Sequence, residues 1–132
     1  FNHNIETVSR LYKHIRPGAV YKESLNLLKS VKEYNSKIFT KSGLMIGLGE
    51  SLDDIQELLI DLSDHLVDFV TIGQYLQPSI HHEKVHKFYT PNEFNFLYEQ
   101  CIEIGFKMVS SSPLTRSSYH ADDDFIKLKK AV

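Results

Sequence analysis

The sequence contains one cysteine, no tryptophan and no surplus of positive charge. Disulfides and cysteine metal sites need two or more thiols. Cys101 alone therefore excludes a disulfide framework and a self-contained cysteine metal site. A formal net charge of -2 is not the basic surplus that nucleic-acid-binding domains usually show. We therefore expect no nucleic-acid partner and a reducing, cytosol-like compartment.

Long apolar runs and targeting signals are also lacking. No run approaches the ~20 apolar residues that a membrane helix needs, so we expect no membrane partner. The opening, Phe1-Asn2-His3-Asn4, has neither the basic start nor the apolar stretch of a signal peptide. There is no initiator methionine, and the first residues resemble the end of a strand. A domain taken from a longer chain is the simplest interpretation.

What is present is the composition of a globular domain, with 42% hydrophobic and 24% charged residues in 132. Strand and helix patterns alternate along it. Helices are predicted over 6–15, 21–34, the segment from Ser51 to Leu66, and the segment between Thr90 and Gly105. Strands are predicted over 38–48, 67–73 and 106–110. A long polar loop is predicted over 74–89.

Two helix starts are marked by capping boxes, in which a side chain and a backbone amide three residues apart satisfy each other. Ser51 with Asp54 marks the first, and Thr90 with Glu93 the second, where Pro91 also suits the first helical position. The predicted buried stripes are Ile55, Leu58, Leu59, Leu62 and Leu66 in the first helix and Phe94, Leu97, Tyr98, Cys101 and Ile102 in the second.

Alternating strands and helices favour a parallel α/β fold with right-handed crossovers. The strands are too few to close an eight-stranded barrel. We therefore predict the C-terminal portion of a partial, six-unit (β/α)6 TIM-like barrel over residues 1–112, with a C-terminal extension over 113–132. Functional residues are expected in the loops that follow the strands.

Two segments carry candidate ligand-binding groups. Glycines after a strand, Gly47 and Gly49, let a backbone approach an anionic or flat ligand closely, although a tight turn alone is the favoured interpretation of that motif by itself. The amides of Asn2 and Asn4 and the carboxylate of Glu6 suit a ribose or an amino-acid headgroup. The alternative is that Asn4 caps the following helix.

Two further segments have ordinary explanations that we favour on chemistry alone. His82 and His86 have the spacing of a shared helix face, as in some metal sites, but with His81 they are better explained as solvated loop histidines. Arg116-Ser117-Ser118-Tyr119 could bind an anion or supply a ligand, or could be a polar C-terminal turn. A serine hydrolase is disfavoured, since no Gly-x-Ser-x-Gly sequence exists.

Taken together and in order, these motifs resemble the lipoyl synthase family of radical S-adenosylmethionine enzymes. The resemblance covers nearly the whole chain and rests on the segments 2–8, 16–18, 41–45, 47–50, 71–79 and 113–122. Thr115 departs slightly from the family pattern, where an apolar residue is expected.

The resemblance implies insertion of two sulfur atoms, at C6 and C8, into an octanoyl chain held on a carrier-protein lysine. It implies two [4Fe–4S] clusters and S-adenosylmethionine as cofactors, the carrier domain of a 2-oxoacid dehydrogenase E2 or a glycine-cleavage H protein as partner, and an electron donor. The residues it assigns to cofactor binding are Asn2, Asn4, Glu6, Lys41, Gly47, Gly49, Gln74 and Leu76. Ser118 is implied as a ligand of the auxiliary cluster, with Ser117 as the fallback.

One departure bears on activity. The family's cluster cysteines are absent, and Cys101 cannot replace several thiolates. We therefore expect them upstream in a longer protein, and this chain alone to be inactive, in a cytoplasm or an organelle matrix. The alternatives are another radical S-adenosylmethionine enzyme, which would share residues 43–50 but not the Arg116–Tyr119 motif, and a non-catalytic β/α binding domain.

Overall fold

The computed structural model describes residues 1–115, and in them three parallel strands form one open sheet. The strands are β1 (Lys41–Ile46), β2 (Phe69–Gln74) and β3 (Met108–Ser111), paired in the order β1-β2-β3. In register, Gly43 of β1 lies beside Thr71 of β2, which lies beside Ser110 of β3. The predicted parallel α/β class is therefore confirmed.

Within residues 1–115, a short 3-10 helix and two α-helices precede β1, and one further α-helix lies in each of the two connections between the strands. The 3-10 helix spans Ser9–Leu11, and the α-helices are α1 (Tyr12–Ile15), α2 (Tyr21–Tyr34), α3 (Leu52–Asp64) and α4 (Pro91–Ile104). Across the described residues, none of the helices has the length and apolar character needed to cross a membrane.

The N-terminal segment extends the sheet irregularly beyond β1. Isolated parallel bridges join Asn2 to Lys41 and Glu6 to Leu44, so four steps along the first segment match three along β1. The extra residue makes a bulge, and Glu6 takes a positive φ of 77°. The predicted helix over 6–15 therefore begins only at Ser9, because the bridge to β1 and the left-handed backbone at Glu6 keep the preceding residues out of a helix.

All the long helices pack against one face of the sheet. One apolar core joins the strand residues Leu44, Ile46, Val70 and Ile72 to the inward residues of α2, α3 and α4, which are Leu25, Leu28, Ile55, Leu58, Leu59, Leu62, Phe94, Leu97 and Cys101. Because side chains alternate along a strand, the opposite face carries Gly43, Met45, Thr71 and Gly73. The connections therefore keep to one side of the sheet.

Both predicted capping boxes are confirmed. Ser51 accepts the amide of Asp54 over 3.1 Å while Asp54 accepts that of Ser51 over 2.9 Å, and Thr90 and Glu93 form the same pair. The C-terminus of α4 is also as predicted, because Gly105 adopts a left-handed φ of 110°.

The predicted buried stripes were too wide at three positions. Leu66 is 48% exposed because α3 ends at Asp64 and Leu66 turns away with a φ of 67°. Tyr98 and Ile102 of α4 are 41% and 47% exposed, since Phe94, Leu97 and Cys101 alone meet the sheet and its neighbours. The strands are also shorter or shifted: β1 ends at Ile46 because Gly47 leaves the extended region with a φ of 111°.

Candidate functional site

A cavity of ≈ 290 Å³ opens at the carboxyl ends of the strands. It is bounded by side chains that follow successive strands of the sheet, namely Glu6, Met45, Gln74, Tyr75, Leu76, Pro78, Pro113, Leu114 and Thr115. The carboxyl ends of parallel strands meet at one edge, so residues distant in sequence converge there. Three residues assigned by the family resemblance, Glu6, Gln74 and Leu76, line this cavity.

A second, smaller cavity of ≈ 50 Å³ adjoins the first through Glu6, Met45 and Thr115 and reaches Asn4. The floor of this cavity has no room for side chains at Gly43 and Gly73. A Cβ on Gly43 would lie 2.4 Å from Thr71 Oγ1, and one on Gly73 would lie 2.5 Å from the Thr115 carbonyl oxygen. The backbone of β1 and β2 therefore stays bare where Asn4 and Thr115 approach it.

Glu6 is held in place by its own backbone. Its amide donates to the Gly43 carbonyl over 3.0 Å, and its carbonyl accepts the Met45 amide over 2.9 Å. Burial raises the pKa of the Glu6 carboxyl, while Arg16, 3.5 Å away, and His3 oppose that rise. The backbone of Glu6 is left-handed, with a φ of 77°, and binding sites often retain local backbone strain of this kind. The Glu6 carboxylate could accept hydrogen bonds from hydroxyl or ammonium groups.

Gln74 organises the loop over 75–89. Its Nε2 donates to the Tyr75 and Lys87 carbonyls, both over 2.9 Å, and its Oε1 accepts the Tyr89 amide over 2.9 Å. Both amide hydrogens are therefore used within the protein. Gln74 shapes the cavity by fixing the loop, while Leu76 presents a half-exposed apolar surface to it.

The glycine turn after β1 has a structural explanation for its glycines. The Gly47 and Leu48 amides donate to the buried Glu50 carboxylate over 3.0–3.1 Å, and Tyr89 donates its hydroxyl to Glu50 over 2.8 Å. A Cβ on Gly47 would lie 2.7 Å from the Lys87 carbonyl oxygen. The turn thus packs against the 75–89 loop, and neither Gly47 nor Gly49 lines the two cavities.

Asn2 and Lys41 lie at the other end of the sheet. They form an isolated bridge with each other at the start of β1, and the Lys41 ammonium sits 4.5 Å from the centre of the Phe69 ring. Lys41 and Met45 share a face of β1 but are four residues apart, roughly 13 Å along a strand. The predicted set is therefore divided: Asn4, Glu6, Gln74 and Leu76 converge, and the remaining four lie elsewhere.

One loop histidine, His86, and His14 of α1 share a hydrogen-bond partner, Glu83, which the sequence pattern did not indicate. Glu83 accepts from His14 Nε2 over 2.5 Å and from His86 Nε2 over 2.9 Å, and these contacts lower the pKa of the Glu83 carboxyl. His82 instead contacts the Ser79 hydroxyl over 2.8 Å. Within residues 1–115, no group of three or more His, Cys, Asp or Glu side chains is arranged to hold a metal ion.

The remaining predictions from the sequence concern Cys101, Ser117 and Ser118. Cys101 is fully buried on α4, and burial raises the pKa of its thiol to about 12, so it is a core residue. Ser117 and Ser118 lie outside the described residues. The predicted boundary at residue 112 falls just after β3, and only 113–115 of the predicted extension are described.

Gly73 and Thr115 are among the cavity-lining positions that were not singled out as binding residues from the sequence. Gly73 lies within the motif 71–79, in a predicted buried strand. A glycine inside a strand often marks a place where another backbone comes close, so the sequence did contain a signal for this position. Thr115 carried only a slight departure from the family pattern. A scan of the sequence against models of known protein families found no match.

Proposed function

We propose that this chain forms the later β/α units of a radical S-adenosylmethionine barrel of the lipoyl synthase type. In this proposal the complete enzyme inserts two sulfur atoms into an octanoyl chain carried on a protein lysine. The observation that carries the proposal is the convergence of Glu6, Gln74 and Leu76 on one cavity at the carboxyl ends of parallel strands. Active sites of β/α barrels lie at that edge.

Because the long helices pack on one side of the sheet, a barrel is favoured and a doubly wound sheet is disfavoured. In a doubly wound sheet the strand order reverses and helices cover both faces. Here the order is sequential, and α2, α3 and α4 share one core with a single face of the sheet. The other face carries Gly43, Met45, Thr71 and Gly73, which line the smaller cavity. A concave inner face lined this way would leave room for a cofactor.

S-adenosylmethionine fits the groups at this edge. Ligand sites span about 300–1,000 Å³ and combine apolar walls with a few polar groups, and the two adjoining cavities have volumes of ≈ 290 Å³ and ≈ 50 Å³. Glu6 would accept from the cofactor's ammonium or ribose hydroxyls, Asn4 would bind polar edges, and Leu76 would contact the adenine. When reduced, the bound cofactor supplies a carbon radical that abstracts hydrogen from an unactivated carbon.

The two iron–sulfur clusters do not fit the described residues. Such clusters are held by several thiolates, and the one thiol here is buried in the core with a raised pKa. The proposal therefore places the cysteine ligands in a further segment of the enzyme and assigns Ser118 as one oxygen ligand of the auxiliary cluster. The proposed compartment is a cytoplasm or an organelle matrix.

The test begins with the reading frame upstream of Phe1. Two cysteine triplets there are expected, one triplet would favour a different radical S-adenosylmethionine enzyme, and none would favour a non-catalytic domain. The complete protein, reconstituted anaerobically with iron and sulfide and supplied with S-adenosylmethionine and a reductant, should convert an octanoylated carrier domain into its lipoyl form, measured by mass. Glu6→Gln should weaken binding of S-adenosylmethionine in calorimetry. Clusters without lipoyl product would refute the assignment.

A further inference from the structure

An exposed basic patch lies beside the 290 Å³ cavity, and its position is set by a contact between two distant segments. His14 of α1 and Glu83 of the 75–89 loop meet over 2.5 Å. This contact brings Lys13 and His14 next to the loop residues Ile80, His81, His82 and Lys84, all of which are exposed. We call these six residues the rim patch.

The two segments that carry the rim patch differ in charge from α3. Residues 9–16 and 79–88 together contain five Lys and Arg and four His but one carboxylate, Glu83. In contrast, α3 (Leu52–Asp64) contains five Asp and Glu and no Lys or Arg. Five of the fifteen Lys and Arg residues of the chain therefore lie in these two segments, around a single carboxylate.

Two cations in the patch are available to a partner. Arg10, Arg16 and Lys87 are engaged by Asp54, Glu6 and Glu93. Lys13 and Lys84, in contrast, form no ion pair with any other residue of 1–115. The imidazoles of His81 and His82 add hydrogen-bond donors or acceptors beside them.

An apolar residue lies within this charged surface. The side chain of Ile80 is 87% exposed and lies two residues after Pro78, which lines the cavity. In protein interfaces apolar residues are buried at the centre while charged residues remain at the polar rim, and Ile80 with its charged neighbours could fill these two places. A chain that reaches the cavity from a bound protein would pass this rim.

We propose that the rim patch is the docking surface for an acidic carrier domain that presents the lysine-linked acyl substrate to the cavity. The inference rests on the proposed function for the identity of the cargo. The acidic character of the partner follows from Lys13 and Lys84, and Ile80 anchors it. An anionic membrane is the weaker fit, because each Lys or Arg near such a surface contributes only about 1 kcal/mol and two ammoniums would hold a protein there poorly.

The test compares two double charge reversals in the full protein. Lys13→Glu/Lys84→Glu changes the patch, and Lys22→Glu/Lys29→Glu makes the same change on exposed lysines of α2. The probe is an octanoylated lipoyl-carrier domain with an excess of Asp and Glu, and association is followed by surface plasmon resonance. We expect the patch variant to associate roughly 10-fold or more slowly at low salt, with the difference shrinking at high salt, and the α2 variant to stay within about twofold.

Two further measurements separate this inference from the proposed function. Ile80→Ser should accelerate dissociation at every salt concentration, because it removes apolar contact instead of charge. Conversion of a free octanoyl-lysine peptide should be unchanged in all of these variants, since the cavity is untouched. If the unaltered protein converts the peptide while both double variants bind the carrier equally, the docking surface is wrong. The docking proposal would also be overturned if Lys13→Glu/Lys84→Glu lost binding to vesicles containing phosphatidylserine but kept its binding to the carrier. Failure of the unaltered protein to convert peptide or carrier would count against the proposed function instead.

Discussion

Tyr89 donates its hydroxyl hydrogen to the Glu50 carboxylate over 2.8 Å, joining the residue before the cap of α4 to the turn after β1. The same carboxylate accepts the Gly47 and Leu48 amides. The carboxyl end of β1 and the end of the loop after β2 are therefore held by one buried acid, next to the cavity edge formed by Gln74.

Tyr89→Phe should destabilise the protein by about 1–2 kcal/mol, because it removes one hydrogen bond to a buried carboxylate. The ring remains and keeps its edge-to-face contact with Phe94. Urea denaturation of both proteins measures the change. As a control, Tyr98→Phe alters an exposed hydroxyl on α4 and should shift stability by less than about 0.5 kcal/mol. Equal effects of the two substitutions would show that the Tyr89–Glu50 bond contributes nothing.

Gly47→Ala should destabilise the protein more than Gly18→Ala does. Both glycines have positive φ, 111° and 86°, so both substitutions incur backbone strain of about 1 kcal/mol. A Cβ at Gly18 meets nothing within 4 Å, whereas one at Gly47 would lie 2.7 Å from the Lys87 carbonyl. The difference in unfolding free energy therefore reports the crowding alone, and identical losses would contradict the described packing.

Gly47→Val tests whether this turn, which lines neither cavity, affects cofactor binding indirectly through the 75–89 loop. It should weaken S-adenosylmethionine binding more than it weakens cluster assembly in the reconstituted full protein, because the turn supports the loop that carries Leu76. Calorimetric titration gives the affinity, and iron analysis gives the cluster content. Unchanged affinity would leave Gly47 as a structural turn glycine.

Glu6→Gln should stabilise the protein relative to the unaltered chain as the pH rises. The pKa of Glu6 is raised by burial, so the folded state holds its proton more tightly than the unfolded state. Its contribution to stability is therefore present at low pH and is lost as the pH rises through the folded pKa. The uncharged glutamine lacks this loss. Urea midpoints of both proteins at pH 4 and pH 7 should differ more at pH 7, and an opposite trend would refute the assigned direction.

Ser118→Ala should abolish sulfur insertion in the full protein while reductive cleavage of S-adenosylmethionine continues. In the proposed mechanism one cluster would cleave S-adenosylmethionine and the auxiliary cluster would supply the sulfur, so damage to the auxiliary cluster should uncouple the two activities. Counting 5′-deoxyadenosine against lipoyl product in a single turnover measures this. Ser118→Cys should keep the auxiliary cluster but slow sulfur donation, because thiolate is a softer ligand. Uncoupling by Ser117→Ala instead would move the assignment by one residue, and a normal lipoyl yield from Ser118→Ala would remove it.

Features that depend on neighbouring residues could be predicted from the sequence. The capping boxes of Ser51 with Asp54 and Thr90 with Glu93 formed as expected, since each pair lies within one helical turn. The stripes of α3 and α4 were right at their centres and wrong at Leu66, Tyr98 and Ile102. The width of a buried stripe depends on which elements cover the helix, and the spacing of apolar residues does not contain that information.

The candidate site, too, could be predicted only in part from the sequence. The motif resemblance selected Asn4, Glu6, Gln74 and Leu76 together with Asn2, Lys41, Gly47 and Gly49, without indicating which of them share a cavity. The parallel register decides this: it places Asn2 beside Lys41 at one end of β1 and Glu6 beside Leu44 near the other. Strand direction and pairing are long-range properties, so the motif order did not predict the separation.

The sequence by itself determined the alternation of strands and helices, the capped starts of α3 and α4 and the single core thiol, because propensity, capping and burial of apolar residues act over a few positions. Only the tertiary structure decided that every long helix covers the same face of the sheet and that Tyr89 reaches Glu50. It also decided that His14 meets Glu83 across 69 positions of the chain. Such contacts depend on how three strands align and how their connections return, and no local pattern of residues specifies that alignment.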